Sequence, residues 1–342
     1  LVEPYVHNRL AELAAEYRPK IPLYSEFSDH VSGEVKAKSK LTPTLSLLYN
    51  YISKLTHVEV VLTIYGSFRH WGHPYIDYKL GLKKLREQTT VKKTIDPKYV
   101  EALASDLAFM VIKDQFRKKK KWPVDGFLVE KNNPLYLNIT KNTWPNNNTI
   151  LNFGDNWHNL PLMKCFDIPD VIDPSIIYSD KSHSLTRTEI TDHLKKNPFK
   201  FIPSHKVLSS LLSQPATNWP LFLKKINDEG FDLDQLVIGL KAKERELKIE
   251  GRYFSLMSWE IRDYFVMTEY LIKTHFVPLF KGLTMADDLT TVIGKMLENS
   301  EGQGETNYEK ITISNHIDYT KWNNHQRKEG NDPIFKVMGQ FL

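Results

Sequence analysis

Cysteine is all but missing from this chain: Cys165 is the single one among 342 residues. That excludes an internal disulfide and any cysteine-built zinc cluster, and makes a reducing compartment the simpler setting. Long apolar runs are missing too, and none approaches the roughly 18 residues that a membrane span needs. No charged start leads into an apolar middle, as a secretory leader would. Asn138-Ile139-Thr140 and Asn147-Asn148-Thr149 therefore fit the glycosylation pattern by chance. Charge of one sign is scarce as well. The net +5, from 46 Lys and Arg against 41 Asp and Glu, permits nucleic-acid binding without requiring it. What the chain has instead is packing material. With 41% hydrophobic and 12% aromatic residues, it reads as a globular protein of one to three domains. Leu1 in place of Met, and the apolar run around Ile334-Phe335-Lys336-Val337-Met338, read as cuts through a longer protein.

Residues 1–121 read as mainly helical, because Leu10, Leu13 and Ala14, and then Val100, Leu103, Leu107, Met110 and Val111, recur at helical spacing. Val58 to Leu62 fits a buried strand or a piece of helix equally well. Residues 122–185 change character. Six prolines, from Pro123 to Pro174, and abundant Asn predict an irregular segment packed by Trp122, Tyr136, Trp144 and Trp157. Residues 186–304 return to helix, with an apolar run from Arg252 to Phe280 that lacks Gly, and lacks Pro until Pro278. Thr284 followed by Asp287 suggests a capping box ahead of the stripe Leu289, Val292, Ile293, Met296 and Leu297. In 305–342, Ile311-Thr312-Ile313-Ser314 alternates as a strand does and leads to Asp318, with a helix after it.

Five features invite a chemical reading. An aspartate closing a buried strand suits a Mg²⁺ ligand, although a cap or turn role is open to Asp318 too. Lys241, Lys243, Arg245, Lys248 and Arg252 place five cations in twelve residues, with three glutamates interspersed. Such a stretch can neutralise a triphosphate or form a solvated face laced with ion pairs. His70 and His73 have metal-like spacing but no third ligand nearby. Arg117 to Trp122 forms a basic run that suits either an anionic partner or solvent. Gly154-Asp155-Asn156 imitates a polymerase metal triplet, but it precedes Asp318 and sits among prolines, so it reads as a turn.

Four stretches, taken in order, resemble the large-protein family of rhabdovirus RNA-dependent RNA polymerases. They are Tyr65 to Tyr78, Asp180 to Arg187, Lys243 to Trp259, and His316-Ile317-Asp318-Tyr319 with Trp322 to Arg327. The resemblance implies an α+β, mainly helical chain that supplies most of the fingers and the first palm strand of a right-hand polymerase. It implies that Asp318 is the motif A ligand for Mg²⁺, or Mn²⁺ in its place. Lys241, Lys243, Arg245, Lys248 and Arg252 would face nucleoside triphosphate substrates, and Asn323 would sense the ribose. The partners implied are RNA template and product, a viral phosphoprotein, a nucleoprotein-coated genome and the remaining domains of the parent protein. The setting implied is the virion and the host cytoplasm. The parent would also cap and methylate mRNA. One carboxylate cannot hold two hard cations, each of which wants about six oxygens, so the segment alone is expected to be inactive. A non-catalytic viral remnant and a stand-alone RNA-binding module are the competing readings.

Overall fold

The computed structural model describes the chain outside residues 1, 18–24, 41, 68–74, 173–181, 244–248, 303–306, 308, 311, 313, 314, 316 and 320. His70 and His73, Arg245 and Lys248 therefore lie outside the described residues, as do Ile311, Ile313 and Ser314 of the expected strand. The described residues are mainly helical with four short strands, an α+β chain as expected. They form two compact units that interleave in sequence.

The first unit comprises Leu1–Tyr75 and Asp288–Asp318. It holds α1 (Val2–Tyr17), α2 (Ser25–Ser39), α3 (Thr44–Ser53) and α4 (Val58–Ser67). The ambiguous segment at Val58 is thus helix. Its core joins Tyr5, Val6 and Leu13 of α1 to Val31, Val35, Ile52 and Val61. Arg9 is buried beside that core and is satisfied there. Its Nε donates to the Leu55 carbonyl at 2.6 Å, and its Nη1 reaches Glu12 at 3.0 Å. A later helix of this unit, Leu289–Asn299, is numbered α13 below. Its N-cap is Asp288, which accepts from the Thr291 amide at 2.7 Å. The capping box anticipated at Thr284 is therefore a correction: Asp288 stands directly before the first helical residue, and its short carboxylate reaches the open N–H groups there.

The second unit comprises Ile76–Asp287 and Tyr319–Leu342. Its elements are α5 (Tyr78–Thr90), α6 (Pro97–Lys119), α7 (Tyr136–Thr140), α8 (Asn147–Phe153), β1 (Ser182–His183), α9 (Arg187–Lys196), β2 (His205–Lys206), α10 (Val207–Ser213), α11 (Trp219–Glu229), β3 (Ile238–Ala242), β4 (Tyr253–Met257), α12 (Trp259–Leu271) and α14 (Lys328–Phe341). The longest helix, α6, starts on Asp96, whose carboxylate takes the Lys98 amide, with Pro97 in the first turn. It ends at Lys120 in the left-handed region, φ 53°. Its buried Ala104, Leu107, Ala108, Val111 and Ile112 pack with Val337 and Phe341 of α14.

The proline-rich segment wraps this core and is built from rings, as its aromatics suggested. Trp122 and Trp144 stack at 5.3 Å, Phe116 lies 5.1 Å from Trp144, and Phe109 lies 4.7 Å from Trp157. The Trp122 Nε1 donates to the Thr143 carbonyl, so the buried indole keeps its polar atom paired. Gly154 ends α8 at φ +56°, and Asn156 donates to the Phe153 carbonyl, so the Gly-Asp-Asn triplet is a turn. A second core gathers Val207, Trp219, Val266, Met267 and Leu271 around α12.

One stretch departs from expectation. The run from Arg252 to Phe280 is not helical throughout. Tyr253–Met257 is β4, paired antiparallel to β3, and Ser258 separates it from α12. Apolar aromatic residues suit a strand as well as a helix, so periodicity alone gave no boundary. Ile112→Ala should cost about 2–5 kcal/mol, because the side chain is fully buried and its cavity cannot refill. Urea unfolding of native and variant chains, followed by far-ultraviolet circular dichroism, reads the difference.

Candidate functional site

The chemistry suggested by the sequence centres on the β3–β4 hairpin. Its register pairs Lys241 with Phe254 and Ala242 with Tyr253, so Lys241 stands one pair from the end of the sheet, next to the segment that connects the strands. The Lys243 amide donates to the Arg252 carbonyl at 2.9 Å and continues the ladder by one pair. The Lys243 ammonium lies over the Phe254 ring, 4.4 Å from its centre. Thus Lys241, Lys243 and Arg252 sit together at the open end of one hairpin. A helical face laced with ion pairs, the alternative weighed for this stretch, is not what Lys241 and Ala242 form.

The returning arm of the hairpin is tied to the start of α5. The Asp77 amide donates to the Ile249 carbonyl at 2.7 Å, and the Gly251 amide donates to the Asp77 carbonyl at 3.2 Å. The Asp77 carboxylate caps α5 by accepting from the Leu80 amide. Lys84 pairs with Glu250, and the Tyr253 hydroxyl donates to the Tyr78 carbonyl. The two backbones meet at a pair of glycines. A Cβ on Gly81 would run into the Gly251 carbonyl, and one on Gly251 would stand 2.7 Å from the Tyr78 ring.

Two further connections converge here. The Ser184 amide donates to the Met257 carbonyl, and Arg187 forks onto the Leu236 carbonyl at 3.0 and 2.9 Å, which fixes the 182–187 stretch against the hairpin. At the far end of α5, Arg327 donates to the carbonyls of Gln88 and Val91, and Asn324 donates to the Gln88 side chain. Asn323 is exposed in the one-turn helix Trp322–His325. Parts of all four stretches that carried the resemblance are thus held in the second unit, each against α5 or the hairpin.

Asp318 belongs to the first unit, and the structure corrects its expected setting. The carboxylate is exposed, and residues 317–319 form no strand. A strand needs a neighbour to accept and donate its backbone hydrogen bonds, and among the described residues none pairs there. No group of three or more His, Cys, Asp or Glu among the described residues gathers for a metal ion. Asp318 with its surroundings therefore does not fit a complete Mg²⁺ site, since a lone exposed carboxylate supplies at most two of about six oxygens. Residues Lys118 and Arg117 of the other basic run pair with Asp114, and Lys119 donates to the Cys165 carbonyl.

Helix was expected across α12, as found, but two of its side chains were not singled out from the sequence. Arg262 and Asp263 follow one another there and are both buried, at 8% and 5% exposure. Burial pushes the Asp263 carboxyl up to about 6, with the Thr217 hydroxyl and Arg262 pulling the other way. Two consecutive charges inside an apolar run were the signal available.

The sequence model of the Mononegavirales RNA-dependent RNA polymerases matches residues 1–342, the whole chain. The chain belongs to that family. It is 63% identical over 342 residues to the RNA-directed RNA polymerase L of Drosophila melanogaster sigma virus. It is 56% identical over 342 residues to that of spring viremia of carp virus and 58% identical over 341 to that of Chandipura virus. Each alignment covers 100% of this chain and 16% of the relative, so this family member spans about a sixth of the curated proteins it matches. No helix among its described residues is long and apolar enough to cross a membrane.

Gly81→Ala should destabilise the second unit by about 1–3 kcal/mol, because the added methyl has no room against the Gly251 backbone. Thermal unfolding of the two chains would register it. Asp263 predicts a pH effect. The folded state holds its proton more firmly than the unfolded chain, where the carboxyl returns to near 3.8. This contribution to stability is complete below about pH 3.8 and is lost as pH rises through about 6. Asp263→Asn, which can still accept from Thr217, should therefore gain about 2 kcal/mol over native at pH 8 and little at pH 4. Urea midpoints of both chains across that range would show the difference narrowing towards acid.

Proposed function

We propose that this chain is the fingers and the start of the palm of a viral RNA-directed RNA polymerase, and that the longer protein containing it adds ribonucleotides to an RNA 3′ end under template direction. The observation that carries this reading is the match along the entire chain to proteins named RNA-directed RNA polymerase L. In this reading the open end of the β3–β4 hairpin presents Lys241, Lys243 and Arg252 to the triphosphate of the incoming nucleotide. Arg245 and Lys248, which follow Lys243 in the sequence, are assigned the same role. Cations held on a hairpin that is itself bolted to α5 are positioned before substrate arrives, which is how electrostatic stabilisation of phosphoryl transfer works.

Asp318 is the carboxylate that this segment contributes. Mg²⁺ or Mn²⁺ supplies charge neutralisation when bound, and its other ligands come from elsewhere in the parent protein. Asn323 lies five residues on and is assigned to the ribose. The proposed partners are the RNA template and product, the phosphoprotein, the nucleoprotein-coated genome and the other domains of the parent. Capping and methylation belong to those domains, and the virion and host cytoplasm are the proposed setting.

Asp318→Asn in the complete protein should lower RNA synthesis by at least about a hundredfold, since a lost metal ligand removes stabilisation of several kcal/mol in the transition state. Incorporation of radiolabelled nucleotide on a template measures it; near-native synthesis by the variant would defeat the assignment. The isolated 342-residue chain should extend no primer in the same assay.

A further inference from the structure

Between α6 and α7 the chain makes a turn whose tip is apolar. Phe127 is 101% exposed and its neighbour Leu128 is 69% exposed. Single apolar residues on a surface are ordinary, but a fully exposed phenylalanine next to a leucine is a contiguous apolar tip left uncovered by the described residues.

The tip is held firmly from both sides. Val124 before it and Val129 after it are buried in the core of the second unit. Val124 bridges to Leu162, the Asp125 amide donates to the Pro161 carbonyl at 2.9 Å, and the Met163 amide donates to the Pro123 carbonyl at 2.9 Å. The Asp125 carboxylate accepts from the Phe127 amide at 3.0 Å, and the Leu128 amide donates to the Asp125 carbonyl at 3.2 Å. Side chains presented on a fixed turn lose little freedom on docking, which is the condition for an anchor at an interface.

Charge says what such an anchor meets. Residues 117–121, at the end of α6, are five consecutive cations, all exposed. Arg117 and Lys118 share Asp114, but Lys120 and Lys121 pair with no carboxylate among the described residues. From 117 to 131 six cations stand against Asp125 and Glu130, and Asp125 is engaged by the Phe127 amide. An acidic surface complements this arrangement. Single-stranded RNA is the other polyanion, but it stacks successive bases on a strip of rings, and here one ring stands beside a leucine at the tip of a turn. Length places the partner. The chain covers 16% of each relative, so most of such a protein lies outside it. A segment of the same polypeptide meets the tip at an effective concentration that a separate protein does not reach.

We propose that the turn at 125–128 is a docking point for an acidic segment of the parent polypeptide outside residues 1–342. That segment takes Phe127 and Leu128 into an apolar depression and sets carboxylates against Lys120 and Lys121. Only the existence of a longer parent is taken over from the proposed function.

A photoreactive benzophenone amino acid placed at position 127 of the complete protein reads the contact, and full exposure of Phe127 lets the replacement leave the core untouched. After irradiation, tryptic mass spectrometry should find the tip joined to one acidic segment of the same polypeptide outside 1–342. The probe at position 128 should find the same segment. Lys120→Glu together with Lys121→Glu should lower the crosslink yield by about fivefold or more. Raising NaCl from about 0.1 to about 1 M should lower it too, because the screening length falls from about 10 to about 3 Å. No crosslink overturns the proposal, and so does a crosslink to RNA, to a separate protein or to a peptide within 1–342. A crosslink outside 1–342 whose yield ignores both charge reversal and salt overturns it as well. Asp318→Asn should leave the crosslink in place, so a failed metal assignment and a failed docking point are separate outcomes.

Discussion

Asp77 is the residue on which the arrangement around the hairpin depends. Its carboxylate opens α5, its amide takes the carbonyl of Ile249, and its own carbonyl receives the amides of Gly81 and Gly251. One residue thus starts a helix and anchors the return of a hairpin that is distant in sequence. Hydrogen bonds of this kind are individually worth about 1 kcal/mol net, but shared through one backbone unit they fix direction as well as distance. The two glycines allow the approach, since each lacks the one atom that would keep the chains apart.

That anchoring has an electrostatic counterpart. The open end of the hairpin concentrates cations, and α12, running directly after β4, brings Arg262 behind them. Ser258, which separates strand from helix, is fully buried and donates its hydroxyl to the Gln235 carbonyl. That contact ties the junction of strand and helix to the loop before the hairpin. Basic groups on such a frame keep their spacing with or without a ligand, which makes for a site organised in advance rather than one assembled on binding.

How much of this could be read from the residues depends on whether the deciding interaction was local. The helices before residue 121 were legible because apolar residues repeat at their period, and the proline-rich segment was legible in part, because tryptophans demand packing and prolines keep helix there to the short α7 and α8. The strand at Tyr253–Met257 was not, because its side chains are apolar and aromatic like those of the helix after it, and its partner lies across an intervening segment. The setting of Asp318 was inferred from alternation at Ile311 to Ser314, a stretch that lies largely outside the described residues, whereas the exposure of Asp318 itself is a property of its surroundings that alternation does not report. The basic stretch was conspicuous, whereas the burial of Arg262 and Asp263 had only their adjacency inside an apolar run to signal it. His183, buried between the Ser184 carbonyl and the Ser210 hydroxyl, was likewise silent in the sequence.

The pairing of α6 with α14 bears on how the chain is made. Phe341 and Val337 complete the core that α6 begins, and the Phe341 carbonyl receives the amides of Cys165 and Phe166. During synthesis α6 leaves the ribosome long before α14 exists. Its apolar face must wait, covered for a time only by the tryptophan-rich segment that follows it directly. The ring-packed wrapping of residues 122–166 therefore acts as a provisional roof for a nascent chain, and its irregular, locally closed form is suited to folding early.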